Sequence, residues 1–485
     1  EVELISTGGT ARVIKSEGLP VTDVTEITGF PESLGGRVKT LHPHLLAAIL
    51  ARTSHPPDME ELADLGIKPI ELVVVNLYPF LEVAGNDTGS LAEATEYIDI
   101  GGPTMVRAAA KNFGHVCVLT DPGRYDQFIA HFDETGGVSF DYRHQQARIA
   151  FNHTARYETD IANYFNLRSD KKNPVQLNIA LPLSQELRYG ENPHQQAALY
   201  GEQKPYIDCF HGKQLSYNNY LDLDAALALI ADFGSSEPTC AIFKHTIPCG
   251  VASADTLSAA WDKAFRTDRV SPYGGIVVVN RELNLEVAEA IDDIFTEIII
   301  APSFTDDAAS LLVQKKNRRL IRLLSNPYPA RHRQFRSIFG GALQQENDQT
   351  PYLFKDYEVV SRRKPDEREI RDLMFAWRVV KHVKSNAVVY VRERQTIGIG
   401  TGQPSRVDSS EAALRKASKE GHSTTDTVVA SDAFFPFADG VEVAAEAGAT
   451  AVIQPGGSIR DEQVIEMADK HDLAMVFTGK RHFRH

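Results

Sequence analysis

Short apolar runs alternate with amphipathic segments along the whole chain. Runs rich in Val, Ile, Leu and Ala predict buried strands at residues 2–6, 72–76, 115–120, 240–243, 276–279, 298–301, 387–391, 427–430 and 474–477. Apolar residues at helical spacing lie between several of these runs; one such helix places Leu257, Trp261, Ala264 and Phe265 on a single face. Strands that alternate with helices predict an α/β fold, with a parallel sheet in the first part of the chain.

The polar segment 169–174 is the best linker between folding units. It divides the chain into a first domain, residues 1–170, and a second domain, residues 171–485. A length of 485 residues fits roughly three folding units, so the second domain is long enough for two lobes. No short-period repeat is visible in the sequence.

Composition and charge narrow the range of functions. Apolar residues make up 42% of the chain and charged residues 24%, as in an ordinary globular protein. The net charge of −14 argues against a nucleic-acid partner, and no apolar run is long enough to suggest a membrane partner. The four cysteines form no CxxC pair, which fits a reducing cytoplasm. Because the chain begins inside a predicted strand without Met, we expect that preceding residues, an N-terminal loop and the first strand of the domain, are missing.

Two glycine loops are candidate phosphate-binding sites. Thr7, Gly8, Gly9 and Thr10 join the first strand to a predicted helix, and Gly101–Gly102 follow Asp99 at the start of another helix. Glycines let backbone N–H groups approach an anion, and a helix N-terminus adds positive potential. Two such loops in one domain favour a phosphorylated ligand.

Local positive charge near these loops also suits an anionic substrate. Arg37 and Lys39 alternate in a segment that would direct both side chains the same way if it were extended. Lys111 ends the predicted helix that follows Gly102 and adds a third cation. Tyr78, beside Pro79, is by itself a residue typical of a core or a turn.

Lys244 and His245 stand side by side at the end of the predicted strand 240–243. Pro248 and Gly250 predict that the strand stops there and turns. Ligands of open α/β sheets bind at the carboxyl ends of the strands. Lysine stabilises negative charge, and histidine exchanges protons near neutral pH. The pair is therefore a candidate catalytic centre, although a surface lysine beside a capping histidine is the simpler interpretation.

Neither zinc nor NAD is predicted. A zinc deaminase needs H-x-E and P-C-x-x-C, whereas Ile247 takes the glutamate position and Cys249 is followed by Gly250, Val251 and Ala252. The glycine run 398–402 lacks the third spaced glycine and the acidic residue of a dinucleotide site.

Taken together, these stretches resemble the bifunctional AICAR transformylase/IMP cyclohydrolase family of purine biosynthesis. The motifs that carry the resemblance follow the order of the family over essentially the whole chain, at residues 6–10, 36–43, 76–80, 98–102, 188–194, 244–245, 431–437, 454–458 and 481–485. Each motif is weak by itself, but the ordered set is specific.

The resemblance implies two reactions, a fold and an assembly. A formyl group passes from 10-formyltetrahydrofolate, a co-substrate, to AICAR, and the product FAICAR then closes to IMP with loss of water. The implied fold is a methylglyoxal-synthase-like doubly wound α/β domain followed by two cytidine-deaminase-like lobes without zinc. The implied assembly is a cytoplasmic homodimer with transformylase sites at the subunit interface.

The resemblance also implies roles for residues. For formyl transfer, His245 accepts a proton while Lys244 and Asn386 stabilise the oxyanion; for ring closure, the residues are Lys39, Tyr78, Asp99 and Lys111. The residues implied in binding nucleotide or folate are Thr7, Gly8, Gly9, Thr10, Arg37, Thr40, Asn76, Gly101, Gly102, Arg188, Tyr189, Glu297, Arg406, Phe434, Asp439, Arg481 and Phe483.

Two positions depart from the family pattern, and two other functions stay open. Ile247 stands where bacterial relatives commonly carry Asn, and Ala438 stands where Arg often follows the Phe-Phe-Pro-Phe motif. The alternatives are a lyase acting on a small phosphorylated sugar-like substrate and a nucleotide-binding regulatory module without catalysis. Folate-dependent turnover separates an enzyme from a binding module.

Overall fold

The computed structural model describes residues 2–31, 33–38, 40–85, 90–170, 173–235, 237–328, 333–348 and 354–485. The chain divides into two units, residues 1–181 and 182–485. This division falls after Leu181, between the helix that ends at Leu167 and the strand that starts at Leu183.

The N-terminal unit is a mixed α/β structure. Its elements are β1 (Ile5–Ser6), α1 (Gly8–Ser16), β2 (Thr22–Asp23), α2 (Val24–Thr28), α3 (Pro43–Leu50), α4 (Pro56–Asp64), β3 (Leu72–Val74), α5 (Phe80–Ala84), α6 (Leu91–Glu96), α7 (Gly101–Lys111), β4 (Cys117–Leu119), α8 (Tyr125–Thr135) and α9 (Phe140–Leu167), with 3-10 turns at Leu34–Gly36 and Pro122–Arg124.

The strands of this unit pair in parallel, as predicted. β1 pairs with β2, and β3 pairs with β4 with Val73 opposite Val118. A buried cluster joins these strands to α3, α7 and α9 through Ile49, Val106 and Ala150. The predicted helix after Gly101 is confirmed as α7. This packing fixes the start of α7, where part of the candidate site lies.

The C-terminal unit contains the remaining elements. They are β5 (Leu183–Leu187), β6 (Ala197–Tyr200), β7 (Ile207–His211), α10 (Tyr217–Phe233), β8 (Thr239–Lys244), β9 (Ile247–Ser253), α11 (Leu257–Thr267), β10 (Gly275–Val279), α12 (Leu285–Asp292), β11 (Thr296–Ala301), α13 (Asp306–Leu312), β12 (Arg319–Leu323), β13 (Arg333–Ile338), β14 (Gly341–Glu346), β15 (Glu358–Val359), α14 (Glu367–Val380), β16 (Val388–Arg392), β17 (Gln395–Gly400), α15 (Arg406–Lys419), β18 (Thr427–Ser431), α16 (Asp439–Glu446), β19 (Ala449–Gln454), α17 (Asp461–Lys470) and β20 (Ala474–Phe477), with a 3-10 turn at Phe354–Asp356.

A 12-stranded sheet, in the order β15-β20-β19-β18-β16-β17-β9-β8-β10-β11-β12-β7, organises the described part of this unit, while β5–β6 and β13–β14 form separate two-stranded sheets. Alternate residues of its strands contribute to different cores. Ala241 and Phe243 face a core shared with α10 and α14, whereas Cys240 and Ile242 face α11, α12 and α13. The second half of the sheet packs in the same way against α15, α16 and α17. The result is three layers, with the sheet in the middle.

The sheet is an internal duplication. The series β7-α10-β8-β9-α11-β10-α12-β11-α13-β12 has the same order of pairing as β15-α14-β16-β17-α15-β18-α16-β19-α17-β20. The two repeats meet where β9 and β17 pair antiparallel, with Ala252 opposite Gln395. Buried hydrogen bonds reinforce this junction because the Thr396 hydroxyl accepts from Val251 N at 2.9 Å and donates to Val251 O at 3.1 Å. One core then spans both repeats.

The predicted turn after Lys244 is wrong in its position. The chain turns at His245–Thr246, and Pro248 and Gly250 lie inside strand β9, which pairs with β8. Pro248 is tolerated because the β8–β9 pairing shifts register there. Gly250 is required by a close approach of α11, since a Cβ atom on it would lie 2.0 Å from the carbonyl oxygen of Ala264.

One further expectation is corrected. The backbone at Arg37 is not extended, since Arg37 follows the 3-10 turn with the helical angles φ −63° and ψ −22°. The two-residue alternation of side chains in an extended strand therefore does not apply at this position. In the large sheet, β8 and β16 run antiparallel to both of their neighbours. The predicted helix with Leu257, Trp261 and Ala264 on its buried face is confirmed as α11.

Candidate functional sites

The turn between β8 and β9 presents Lys244 and His245 at one end of the sheet. Lys244 pairs with Ile247 across a two-residue turn, and His245 is exposed. His245 and Thr246 have φ angles of 53° and 64°. The Lys244 ammonium donates to the Tyr273 carbonyl at 2.5 Å, next to the start of β10. A neutral carbonyl leaves the positive charge of Lys244 available to an anion.

Acidic and amide side chains surround this turn. Asp222 of α10 accepts a hydrogen bond from the Thr246 backbone N–H at 2.5 Å. Glu297, near the start of β11, accepts from Asn219 of α10 at 3.2 Å and lies 3.6 Å from Arg319. The pairing of β8 with β10 and of β10 with β11 places Lys244, His245 and Glu297 at the same end of the sheet.

Asn386 lies in the segment that precedes β16. Its Nδ2 donates to the carbonyls of Gln403 at 3.0 Å and Pro404 at 2.8 Å. Ser409 of α15 donates its hydroxyl hydrogen to the Asn386 carbonyl at 2.6 Å. Both amide hydrogens are thus committed to backbone carbonyls, and Oδ1 is the side-chain atom of Asn386 left to meet a ligand.

Asp432, which follows β18, connects three predicted site segments although its side chain is fully buried. One of its oxygens accepts from Ser385 Oγ at 2.5 Å, and the other accepts from Arg406 at 3.3 Å. Its backbone carbonyl accepts from His482 N at 2.8 Å. A buried carboxylate needs such partners, so Asp432 couples the Asn386 segment, Arg406 and the C-terminal tail.

The C-terminal tail and the end of β18 bring further predicted residues to this edge. The Arg481 guanidinium lies 4.6 Å from the Phe483 ring centroid, and Arg406 lies 5.8 Å from it. Phe434 is partly exposed, and Asp439 starts α16. Arg188 and Tyr189 follow β5, where the guanidinium lies 5.6 Å from the tyrosine ring.

In the N-terminal unit, the start of α7 gathers a second set. The Asp99 carboxylate accepts from Gly102 N at 2.8 Å, and its backbone N–H donates to Tyr157 at 2.9 Å. Thr40 lies against Gly101, since a Cβ there would meet Thr40 Oγ1 at 2.2 Å. The structure therefore brings Thr40, Asp99, Gly101 and Gly102 together.

The predicted loop at Thr7 also starts a helix, α1, as expected. Thr7 has an extended backbone and makes no side-chain capping hydrogen bond, while Gly8 has a φ of 57°. A pocket of about 220 Å³ opens beside them, lined also by Arg12, Lys15, Asp23 and Thr25. Two cations beside a helix start suit an anion. Gly9 and Thr10 lie in the first turn of the same helix.

Other predicted residues are placed differently. Arg37 is exposed and pairs with Glu96. Asn76 exchanges hydrogen bonds with Tyr125 at 3.1 and 3.2 Å, and Tyr78 is exposed. Lys111 ends α7 ten residues after Gly101, a rise of about 15 Å, so one helix separates it from Asp99. Lys39 lies outside the described residues.

Sequence reasoning missed Asp222, Asp432, Arg12 and Lys15. Asp432 lies inside the quoted motif 431–437, but its role depends on a buried contact that the motif does not reveal. Asp222 is 23 positions before His245, so only folding brings it near the turn. Arg12 and Lys15 follow the Thr7–Thr10 loop at helical spacing, a signal that was present in the sequence.

Within the described ranges, no helix is long and apolar enough to cross a bilayer. Among those same residues, no group of three or more His, Cys, Asp or Glu side chains could hold a metal ion.

Two family models match the chain. The model described as the AICARFT/IMPCHase bienzyme matches residues 109–416, and the model of the MGS-like domain matches residues 1–104. The second match confirms the expected type of N-terminal domain. The first runs from α7 of the N-terminal unit into α15 of the C-terminal unit, so it covers parts of both.

Similar proteins match over the full chain. The bifunctional purine biosynthesis protein PurH of Chloroflexus aurantiacus is 53% identical over 100% of this chain and 94% of its own length. The proteins of that name from Caldicellulosiruptor saccharolyticus and Halalkalibacterium halodurans are 48% and 46% identical, each over 100% of this chain and 95% of their own length. A solved structure titled "Crystal structure of ForH" is 36% identical over 34% of this chain and 85% of that chain; its TM-score of 0.29 carries no argument.

Proposed function

Because the chain belongs to the AICARFT/IMPCHase bienzyme family, we propose that its two units divide the two reactions, with formyl transfer in residues 182–485 and ring closure in residues 1–181. The protein is a bifunctional enzyme of purine biosynthesis that formylates AICAR with 10-formyltetrahydrofolate and cyclises FAICAR to IMP. Particular residues of each unit are proposed to carry the steps of each reaction.

Formyl transfer is assigned to the turn between β8 and β9. The AICAR amine attacks the formyl carbon, a C–N bond forms, and His245 takes the amine proton. Lys244 stabilises the oxyanion that develops on the formyl oxygen. The bond between the formyl carbon and the folate nitrogen then breaks, and that nitrogen is protonated. The observation that carries the assignment is the exposed His245 beside a lysine whose partner is a neutral carbonyl.

Asn386 is assigned to the same centre by the internal duplication. Asn386 lies two residues before β16, as Glu237 lies two residues before β8. Glu237 pairs at 2.8 Å with Arg394, which occupies the turn of the other repeat. If the two repeats are related in the same way in both directions, Asn386 lies opposite the His245–Thr246 turn, as Glu237 lies opposite the turn at Arg394. Since both amide hydrogens of Asn386 are engaged, its Oδ1 would orient the AICAR amine, a different role from the predicted oxyanion contact.

The two substrates of formyl transfer, the nucleotide and the folate, are assigned to two groups of residues around this centre. Arg406, Arg481 and Phe483 would hold the nucleotide, with Arg188, Tyr189 and Phe434 as further contacts. Glu297 and Asp439 would meet the folate. A carboxylate suits the amino and ring N–H groups of a pterin.

Ring closure is assigned to the start of α7. The Gly101 N–H and the positive end of the α7 dipole suit an oxyanion, while Asp99, which accepts from the Gly102 N–H, is a candidate to move a proton. The pocket at Thr7 with Arg12 and Lys15 would hold the phosphate. Lys39, Tyr78 and Lys111 keep the roles that the family resemblance implies. Asp99 and Lys111 stand at opposite ends of α7, which makes Lys111 the less direct participant.

The fold of the two lobes and the assembly of the enzyme are also proposed. The two repeats of the large sheet are assigned as cytidine-deaminase-like lobes without zinc. The enzyme is assigned as a cytoplasmic homodimer with transformylase sites at the interface, acting on small molecules rather than on nucleic acid or a membrane. The net charge of −14 and four unpaired cysteines support this environment.

Paired variants test the division of the reactions. His245→Ala should abolish formyl transfer from 10-formyltetrahydrofolate to AICAR, measured by absorbance, while FAICAR cyclisation continues. Lys39→Ala should do the reverse. Loss of both activities from either change, in protein that remains folded, would contradict the two-site assignment.

A further inference from the structure

We propose that Asp222 is a positioning residue for formyl transfer, because it holds the His245–Thr246 turn in the backbone conformation that presents the His245 imidazole. This inference rests on the proposed role of His245. Asp222 belongs to α10, lies beneath the turn and is half-buried. Its side chain contacts the backbone of the turn, so it acts through His245 rather than on the substrate.

The turn has a conformation that its residues do not favour. His245 and Thr246 both have φ in the left-handed region, at 53° and 64°. Two-residue hairpin turns with positive φ at both positions are normally built from Asn and Gly. A β-branched residue such as Thr is a clear outlier there. An external contact must therefore favour this conformation over the alternatives.

Asp222 supplies that contact. Its Oδ1 accepts from the Thr246 backbone N–H at 2.5 Å. Burial raises the pKa of Asp222 above its ordinary value, and the hydrogen bond from the Thr246 amide opposes that shift. In its ionised form, the carboxylate holds the turn by a charge-assisted hydrogen bond, which is stronger than a bond between neutral groups.

The second repeat contains the same device without the proposed chemistry. Its turn, Glu393–Arg394, also has positive φ at both residues, 51° and 56°. Asp372 of α14 accepts from Glu393 N at 2.9 Å and from Arg394 N at 2.8 Å. Asp222 is the sixth residue of α10, and Asp372 is the sixth residue of α14.

Comparison of the two repeats separates a structural role of this contact, holding the turn, from a role in formyl transfer, placing His245. In both repeats a helix carboxylate holds a left-handed turn, so the device belongs to the fold. Only in the first repeat does the turn carry His245 beside Lys244, where a displaced imidazole misses the proton that it must accept. A displacement of about 1 Å from productive geometry costs on the order of 100-fold in rate. Asp372 is therefore a matched control for Asp222.

The test compares Asp222→Asn with Asp372→Asn in the full-length protein. Asn keeps the size of the side chain and an oxygen that can accept from Thr246 N, but it removes the negative charge, so the hydrogen bond that holds the turn becomes a weaker bond between neutral groups. We expect Asp222→Asn to lower kcat for formyl transfer at least about tenfold, with KM for AICAR changed less than about threefold and cyclisation unchanged. Asp372→Asn should leave kcat for formyl transfer within about threefold, even if both variants unfold at lower temperature.

A second-site change gives an independent readout. Glycine adopts positive φ without strain, so Thr246→Gly should restore formyl transfer at least about threefold in the Asp222→Asn background. The inference would be overturned by equal kcat losses from both Asp variants, by a change in KM alone, or by a folded double variant that shows no recovery. His245→Ala is assayed in parallel. If it retains transfer, the proposed function fails; if it abolishes transfer while Asp222→Asn stays active, only the positioning role fails.

Discussion

Ser385 donates its hydroxyl hydrogen to the buried carboxylate of Asp432 at 2.5 Å. The bond links the residue before Asn386 to the end of β18. The same carboxylate accepts from Arg406 at 3.3 Å, and Arg484 N donates to Ser385 Oγ at 3.0 Å. One buried side chain thus sets the relative positions of three segments that are proposed to hold AICAR.

Asp432→Asn should therefore weaken formyl transfer. The amide cannot accept from Ser385 and Arg406 at once, and it leaves a nearly buried guanidinium without its charge partner. Breaking such a pair costs about 2–5 kcal/mol, so KM for AICAR should rise at least about tenfold. Steady-state kinetics with varied AICAR measures this.

A second ion pair with a buried arginine, Asp292 with Arg318, supplies the control for this prediction. Asp292 accepts from Arg318 at 2.6 Å, and the Arg318 side chain is 1% exposed. Asp292→Asn should lower stability without raising KM for AICAR. Equal effects of the two variants on KM would show that Asp432 acts only through general stability.

Gly102→Ala should impair ring closure. A Cβ at this position would lie 2.4 Å from Asp99 Oδ2 and 2.8 Å from Leu77 Cδ2, so the Asp99 carboxylate must move away from the start of α7. A shift of about 1 Å reduces rate on the order of 100-fold, and FAICAR cyclisation should fall by at least about tenfold while formyl transfer is unchanged. Gly114→Ala is the control, because its Cβ would meet no atom within 4 Å. Normal cyclisation by Gly102→Ala would remove Asp99 from the proposed centre.

The C-terminal unit should lose stability in mild acid through His382. Its Nε2 lies 2.7 Å from Asp232 Oδ2, and burial lowers the pKa of His382 to about 4 although Asp232 opposes the shift. The folded state therefore binds fewer protons than the unfolded state between the ordinary pKa of 6.5 and this lowered value. The stabilisation is fully present above pH 6.5 and is lost as pH falls through about 4.

Denaturant unfolding between pH 7 and 4 measures this dependence. One proton contributes a slope of up to about 1.4 kcal/mol per pH unit, and His382→Asn should remove that part of the slope. His471→Asn, at an exposed histidine, should leave the slope unchanged. An unchanged slope in His382→Asn would contradict the prediction.

Local patterning was enough to predict much of the fold. The strands at 240–243, 276–279, 298–301 and 427–430 are short, almost wholly apolar runs, and each is buried on both faces in the sheet. The helix α11 follows from its apolar face alone. The hairpin at His245–Thr246 did not follow, because its turn lacks the Asn and Gly that mark such turns, while Pro248 and Gly250 carry turn signals inside a strand.

By itself, the sequence determined which chemical groups are present and in which order: a lysine–histidine pair, two glycine loops at helix starts, and motifs ordered as in one enzyme family. Only the tertiary structure decided which distant groups meet. Asp222 reaches the turn of His245, and Asp432 reaches Ser385 and Arg406, because buried polar groups must find partners wherever the packed core places them. The tertiary structure alone also showed that the two lobes share one sheet, joined where β9 pairs with β17.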